Sequence, residues 1–191
     1  MLIVLGSLLW TAAPSAAAGG DYVFAGGTAK QRTQVRRALD ASAFDWSLVP
    51  TKITIHIAPG LNSEATVGNL WLDANLLDAG RFSWGIVQHE YGHQVDLFLL
   101  DGAKRALLDQ ALGGTDWCYG LPNLKQAQYG CERFASTLAW AYWPSVQNSM
   151  RPVSPSDESA AVSPARFRGL VTSVLGFGDP FAAQQLSVVG R

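Results

Sequence analysis

The segment His89-Glu90-Tyr91-Gly92-His93 concentrates two of the chain's three histidines and a carboxylate in one short run. On a helix, residues four apart lie on one face a single turn from each other, so both imidazoles can reach one metal ion. Glu90 projects from an adjacent side. There it can take a proton from a metal-activated water without itself ligating. The chemistry this pattern points to is hydrolysis. Two imidazoles leave a catalytic zinc site one ligand short, since such sites use three protein ligands and keep a fourth position for water. No histidine follows His93, and His56 lies upstream on a predicted strand, where it reads as a packed or half-exposed side chain. Asp96 shares the helix stripe but sits about 10 Å along the axis from His89, so it reads as an acceptor behind the ligands. Glu64 and Glu158 fall in segments read as exposed loops. Elimination leaves Glu132, near the start of a later helix, in Cys131-Glu132-Arg133-Phe134-Ala135-Ser136.

These residues need elements to hold them. The apolar positions Phe82, Ile86, Leu97 and Leu100 recur with His89 and His93 near helical spacing, which predicts a helix from Ser83 to about Leu100. A second helix is predicted from Cys131 to Trp143, stopped by Pro144. Upstream, Lys52 to Ala58 alternates strictly, with Ile53, Ile55 and Ile57 on one face, and reads as a strand closed by Pro59-Gly60. Asn69 to Asp73 reads as a second strand with Leu70 and Leu72 inward. Thr28 and Gln31 form a capping box that opens a helix to about Ala43. Ala103 to Leu112 is predicted helical and closed by Gly113-Gly114. Residues 144–163, with their prolines and serines, read as a surface loop, and Ser163-Pro164 opens a last helix through Leu175. The predicted order is helix, two strands, then helices only. That is an α+β chain with a small N-terminal sheet, an active-site helix and a mostly helical C-terminal half.

Composition narrows the function. The 191 residues carry 14 Lys+Arg against 15 Asp+Glu, a net charge of -1, which lacks the basic excess that nucleic-acid binding requires. Hydrophobic residues make up 48% and include seven Trp, ample for a buried core. Residues 1–18 carry an apolar run from Leu2 to Trp10, then Pro14 and small residues at Ala16 and Ala18. This is the pattern of a secretory signal peptide cut after Ala18. Residues 19–191 are then a single domain, exported, without a membrane anchor after cleavage and acting as a monomer. Export permits a disulfide, and Cys118 and Cys131 are the two cysteines available. A bridge between them would hold the start of the Glu132 helix against the preceding loop.

A short strand, an HExxH helix and a second helix carrying Glu followed by small residues resemble the gluzincin branch of the zincin metallopeptidases over about residues 52–143. The resemblance implies one Zn2+ per chain held by His89, His93 and Glu132, with Glu90 as general base and a polypeptide as substrate. The extended metzincin motif would need His at position 99, which is Leu99. Thermolysin-like peptidases carry Ser-Asp three and four residues after the ligand Glu, the Asp orienting a zinc-bound imidazole. Here those positions are Ala135 and Ser136, so an orienting group from elsewhere is expected. Tyr129, Arg133 and Tyr142 are the candidates for holding oxyanion charge. Gly114-Thr115-Asp116-Trp117-Cys118-Tyr119-Gly120 is also similar to the aspzincin signature Gly-Thr-x-Asp-x-x-Tyr-Gly with one residue missing. That rival implies Asp116 as third ligand and Tyr119 as oxyanion stabiliser. The segment from Ala65 to Leu72 fits the edge strand that zincins lay along their cleft. Two other functions fit the motif: a binding module with the metal structural or absent, and hydrolysis of a non-protein amide such as a cell-wall link. An intact Glu90 argues against the first, because a purely structural site needs no base.

Overall fold

The computed structural model describes residues 20–181; the signal-like segment 1–18 lies outside the described residues. The chain begins with a strand, β1 (Tyr22–Gly26), then helix α1 (Ala29–Ala41), whose N-terminus carries the reciprocal Thr28–Gln31 capping box. After a 3-10 turn at Trp46–Leu48 comes β2 (Ile53–Ala58), with Ile53, Ile55 and Ile57 buried. β3 (Glu64–Thr66) and β4 (Asn69–Asp73) form a hairpin through Val67-Gly68. Gly68 adopts φ +75, a left-handed conformation that a side chain disfavours in so tight a turn.

The sheet order is β1-β2-β4-β3, with β1, β2 and β4 parallel and β3 antiparallel at the edge. The expectation of two strands after a first helix is therefore corrected to four strands, beginning with β1. The residues of β1 are half-buried or exposed, without the buried alternation that marks β2, and its strand formers Tyr22, Val23 and Phe24 make too short a run before Gly26-Gly27 to show a period. β3 is three residues long, too short for a period to register. The edge strand expected over Ala65–Leu72 is likewise divided: of its two strands β4 is internal and β3 lies at the edge.

The remaining elements are α2 (Ala74–Leu77), α3 (Phe82–Leu99), α4 (Gly102–Leu112), α5 (Gly130–Tyr142) and α6 (Pro164–Leu175), with 3-10 turns at Gln126–Gln128 and Glu158–Ala160. The architecture is α+β, as expected. α3 is buried on nearly every side, from Ser83 to Asp96, because α1 covers one flank and α5 another. Polar residues on such a helix must find partners. Gln88 Nε2 donates to Ala38 O at 2.6 Å, and Gln94 Nε2 donates to Thr66 O and Asn69 O at 2.9 and 3.0 Å. Gln94 thereby ties the β3–β4 hairpin to the helix that carries the histidines. Gly92 lets α3 approach α5: a Cβ built there would lie 3.3 Å from Ala135 Cα. No helix among the described residues is long and apolar enough to cross a membrane.

Candidate metal centre

His89 and His93 leave α3 on the face that meets α5, their rings edge to face at 4.8 Å. Glu132, in the first turn of α5, is buried and reaches back between them. His89 Nε2 lies 3.1 Å from His93 Nε2 and 3.2 Å from Glu132 Oε2, and His93 Nε2 lies 3.6 Å from that same oxygen. Ligand atoms at tetrahedral corners, 2.0–2.1 Å from a common ion, would stand about 3.3 Å apart. The triangle fits. Two imidazole nitrogens and a carboxylate oxygen are also a donor set suited to a borderline divalent cation such as zinc. These three residues form a group able to hold a metal ion.

The carboxylate that joins the two imidazoles is thus Glu132. Asp116 does not join the triad: its Oδ2 accepts from the backbone of Gly120 and Leu121 at 2.6 and 3.2 Å and shapes the loop before α5. The other carboxylate of α3, Asp96, accepts from Arg105 Nε at 2.8 Å and from Trp117 Nε1 at 3.2 Å. It anchors α4 and the 117 loop to α3 and touches neither imidazole. His56 stacks on Trp71 at 5.0 Å on the half-exposed face of the sheet, with Asn69 Oδ1 at 3.0 Å. Tyr91 is a packing residue, buried against Trp46 and Tyr22.

The Glu132 carboxylate is held by further donors. Tyr119 Oη donates to Oε1 at 2.8 Å and Gln126 Nε2 donates to Oε2 at 3.0 Å. Tyr119 sits at φ 57, an uncommon backbone conformation for a residue with a side chain. It is 60% exposed, so its ring is not held there by burial. The Cys118–Cys131 disulfide, with Cα atoms 5.4 Å apart, joins the loop that carries Tyr119 to the first turn of α5. This is the pairing expected. Of the other groups named for oxyanion charge, Tyr129 Oη donates to Leu121 O and Arg133 donates to Ala127 O and Leu112 O. Tyr142 is buried against Phe44. All three point away from the triad, and Tyr119 is the phenol that reaches it.

Behind the triad, His89 Nδ1 lies 2.9 Å from Ser136 Oγ, and Ser136 Oγ donates to Glu158 Oε2 at 2.6 Å. Two expectations are corrected by this contact. Ser136, which stands where an orienting Asp would be sought, does meet the imidazole. Glu158 is no exposed loop residue: it belongs to the 3-10 turn packed on α5 and is half-buried. Ser136 lies one turn beyond Glu132 on the same helix face, a signal present in the sequence. Nothing local marks Glu158 or Gln126.

The triad opens on a cleft of about 290 Å³. Besides the triad it is lined by Ser63, by Glu64 and Ala65 of β3, by Cys118 and Tyr119, and by Glu90. Burial pushes the Glu90 carboxyl above the usual range, and the neighbouring imidazoles oppose that shift. Burial disfavours a charged His89. The Glu132 hydrogen bond and the charges of Glu90, Glu132 and Glu158 outweigh it, so its pKa is raised. Glu132, although desolvated, is held well below the usual carboxylate range by its hydrogen bonds to His89 and His93. No protein-family model, curated protein or solved structure matches this chain.

Proposed function

We propose that this chain is a secreted zinc-dependent peptidase of zincin-like fold, with His89, His93 and Glu132 as metal ligands. What supports the reading is one observation above the rest: three ligand atoms converge at metal-site spacing, and the unligated Glu90 faces the same cleft. Zinc bound there would supply Lewis acidity, lowering the pKa of a water to about 7 and polarising a carbonyl oxygen.

The chain's own residues account for the rest. Glu90 takes the proton from the attacking water as the new C–O bond forms, and returns it to the amine as the C–N bond breaks. Burial that raises its pKa makes the proton easier to accept and to keep until the amine leaves. Tyr119 lines the cleft and its Oη donates to Glu132 Oε1 at 2.8 Å; its single proton would have to turn from that carboxylate to hold the negative charge that develops on the carbonyl oxygen. The β3 edge beside the cleft offers unpaired backbone groups to an extended peptide. Export fits the Cys118–Cys131 disulfide, a bond that persists in an oxidising compartment.

The test is digestion of unfolded casein by purified protein, with metal analysis of the same sample. Cleavage with one zinc per chain, abolished by a chelator and restored by zinc, is the expected result. Zinc uptake without cleavage of casein or any peptide pool would remove the peptidase reading.

A further inference from the structure

A histidine that ligates through Nε2 must carry its proton on Nδ1, and that requires an acceptor facing Nδ1. For His89 the facing atom is Ser136 Oγ, at 2.9 Å. A serine alone is ambiguous, because a hydroxyl can donate as well as accept. If it donated, Nδ1 would have to be the acceptor and Nε2 would carry the proton, blocking the metal. Glu158 Oε2, 2.6 Å from Ser136 Oγ, removes the ambiguity. The carboxylate can only accept, so it takes the one hydroxyl proton and leaves Oγ as the acceptor for Nδ1–H. The competing acceptor, Met150 Sδ at 3.4 Å from Ser136 Oγ, is a weak one.

The segment that delivers Glu158 is fastened at several points. Asn148 Nδ2 donates to Ala139 O and Trp143 O at 2.9 and 2.8 Å, and Ser159 Oγ donates to Met150 O at 2.5 Å. Asp157 Oδ2 accepts from the backbone of Val153 and Ser154 at 2.7 and 2.9 Å. Gly85 of α3 leaves the space that Asn148 occupies, since a Cβ there would collide with its side chain.

We propose that Glu158 is a positioning residue for the metal centre, acting through the Ser136 hydroxyl to fix the tautomer and orientation of His89. The proposal rests on the metal-centre reading above. It gives residues 144–163 a role in the site, because they carry a carboxylate from outside the two ligand helices to the back of one ligand.

The experiment is zinc affinity by competition with a chromophoric chelator, with the visible spectrum of the cobalt-substituted protein recorded beside it. Glu158→Ala is expected to weaken zinc binding 10–100-fold and to shift the cobalt d–d bands. Glu158→Gln, which keeps an acceptor of the same shape, should recover part of the affinity and confirms that the fold is retained. In a Ser136→Ala background the Glu158→Ala change should cost less than about twofold, because the relay is already cut. Wild-type affinity and spectrum in both Glu158 variants would overturn the proposal, as would an equal loss in the presence and absence of Ser136. Wild-type protein that takes up neither zinc nor cobalt would sink the metal-centre reading itself.

Discussion

Glu90 stands beside His89 on the same helix, yet the proposed reaction gives the two different tasks, and these can be separated experimentally. Glu90→Gln removes the base but no ligand, so metal content should remain near one per chain while turnover falls to below a few per cent. Retention of substantial casein cleavage in that variant would refute the mechanism. His89 and Glu132 predict a pH dependence. His89 in the metal-free protein has its pKa raised above 6.5, so the folded state holds that proton more tightly than the unfolded chain. Its contribution to stability is full below about 6.5 and is lost as pH rises through the raised value. Glu132 is depressed below 4.5, so its contribution is full above about 4.5 and is lost as pH falls through the lowered value. The two windows overlap between about 4.5 and 6.5. The contribution of this pair to the urea midpoint of metal-free protein should be largest there and should vanish in Glu132→Ala, and the zinc-loaded protein should instead gain stability toward pH 8 as proton competition for His89 fades.

At the scale of elements, the centre is a property of the α3–α5 contact. Gly92 lies one residue before His93 and against Ala135, where a Cβ would meet Ala135 Cα at 3.3 Å. Gly92→Leu must push the helices apart, and Glu132 moves with α5. Such overpacking costs about 1–3 kcal/mol, and zinc affinity should fall alongside the melting temperature. An unchanged affinity would mean that the two helices do not set the ligand spacing. The disulfide acts at the other end of the same contact, next to Glu132. The bridged cysteines are 13 residues apart in sequence, so the bridge contributes roughly 3 kcal/mol by chain entropy. Protein unfolded without reductant should show no free thiol. Reduced protein should denature at lower urea and bind zinc more weakly, because the Tyr119 loop is then free to leave Glu132.

For the whole molecule, the metal would join residues far apart in sequence, one set following the sheet and the other opening the C-terminal helices. An ion that binds only the folded state stabilises it by about 2.7 kcal/mol at a free concentration one hundred times its dissociation constant. For a chain of this size that corresponds to roughly 5–11 °C in melting temperature. Calorimetry with chelator and with buffered free zinc should show a shift of that size, shrinking toward zero in Glu132→Ala. A shift that survives in Glu132→Ala but vanishes in Asp116→Ala would move the third ligand to the loop.

The local features are legible from the residues themselves because their distances are set within one element. The i, i+4 spacing of His89 and His93 is fixed by helix pitch, the Thr28–Gln31 cap by a single turn, and the buried face of β2 by the alternation of Ile53, Ile55 and Ile57. The cysteine pair is legible for a different reason: the chain holds only two. What the tertiary structure decided is which distant groups meet. Glu132 rather than Asp116 stands with the imidazoles, Tyr119 rather than Tyr129 reaches that carboxylate, and Glu158 reaches the back of His89 through Ser136. β1 and β3 belong here as well, since β1 lacks a buried alternation and β3 is three residues long, and each owes its form to the strand it pairs with. Each of these outcomes depends on how closely α3 and α5 pack and on how the intervening loops are fastened. Those distances arise from the summed packing of many side chains, and no periodicity along the chain encodes them.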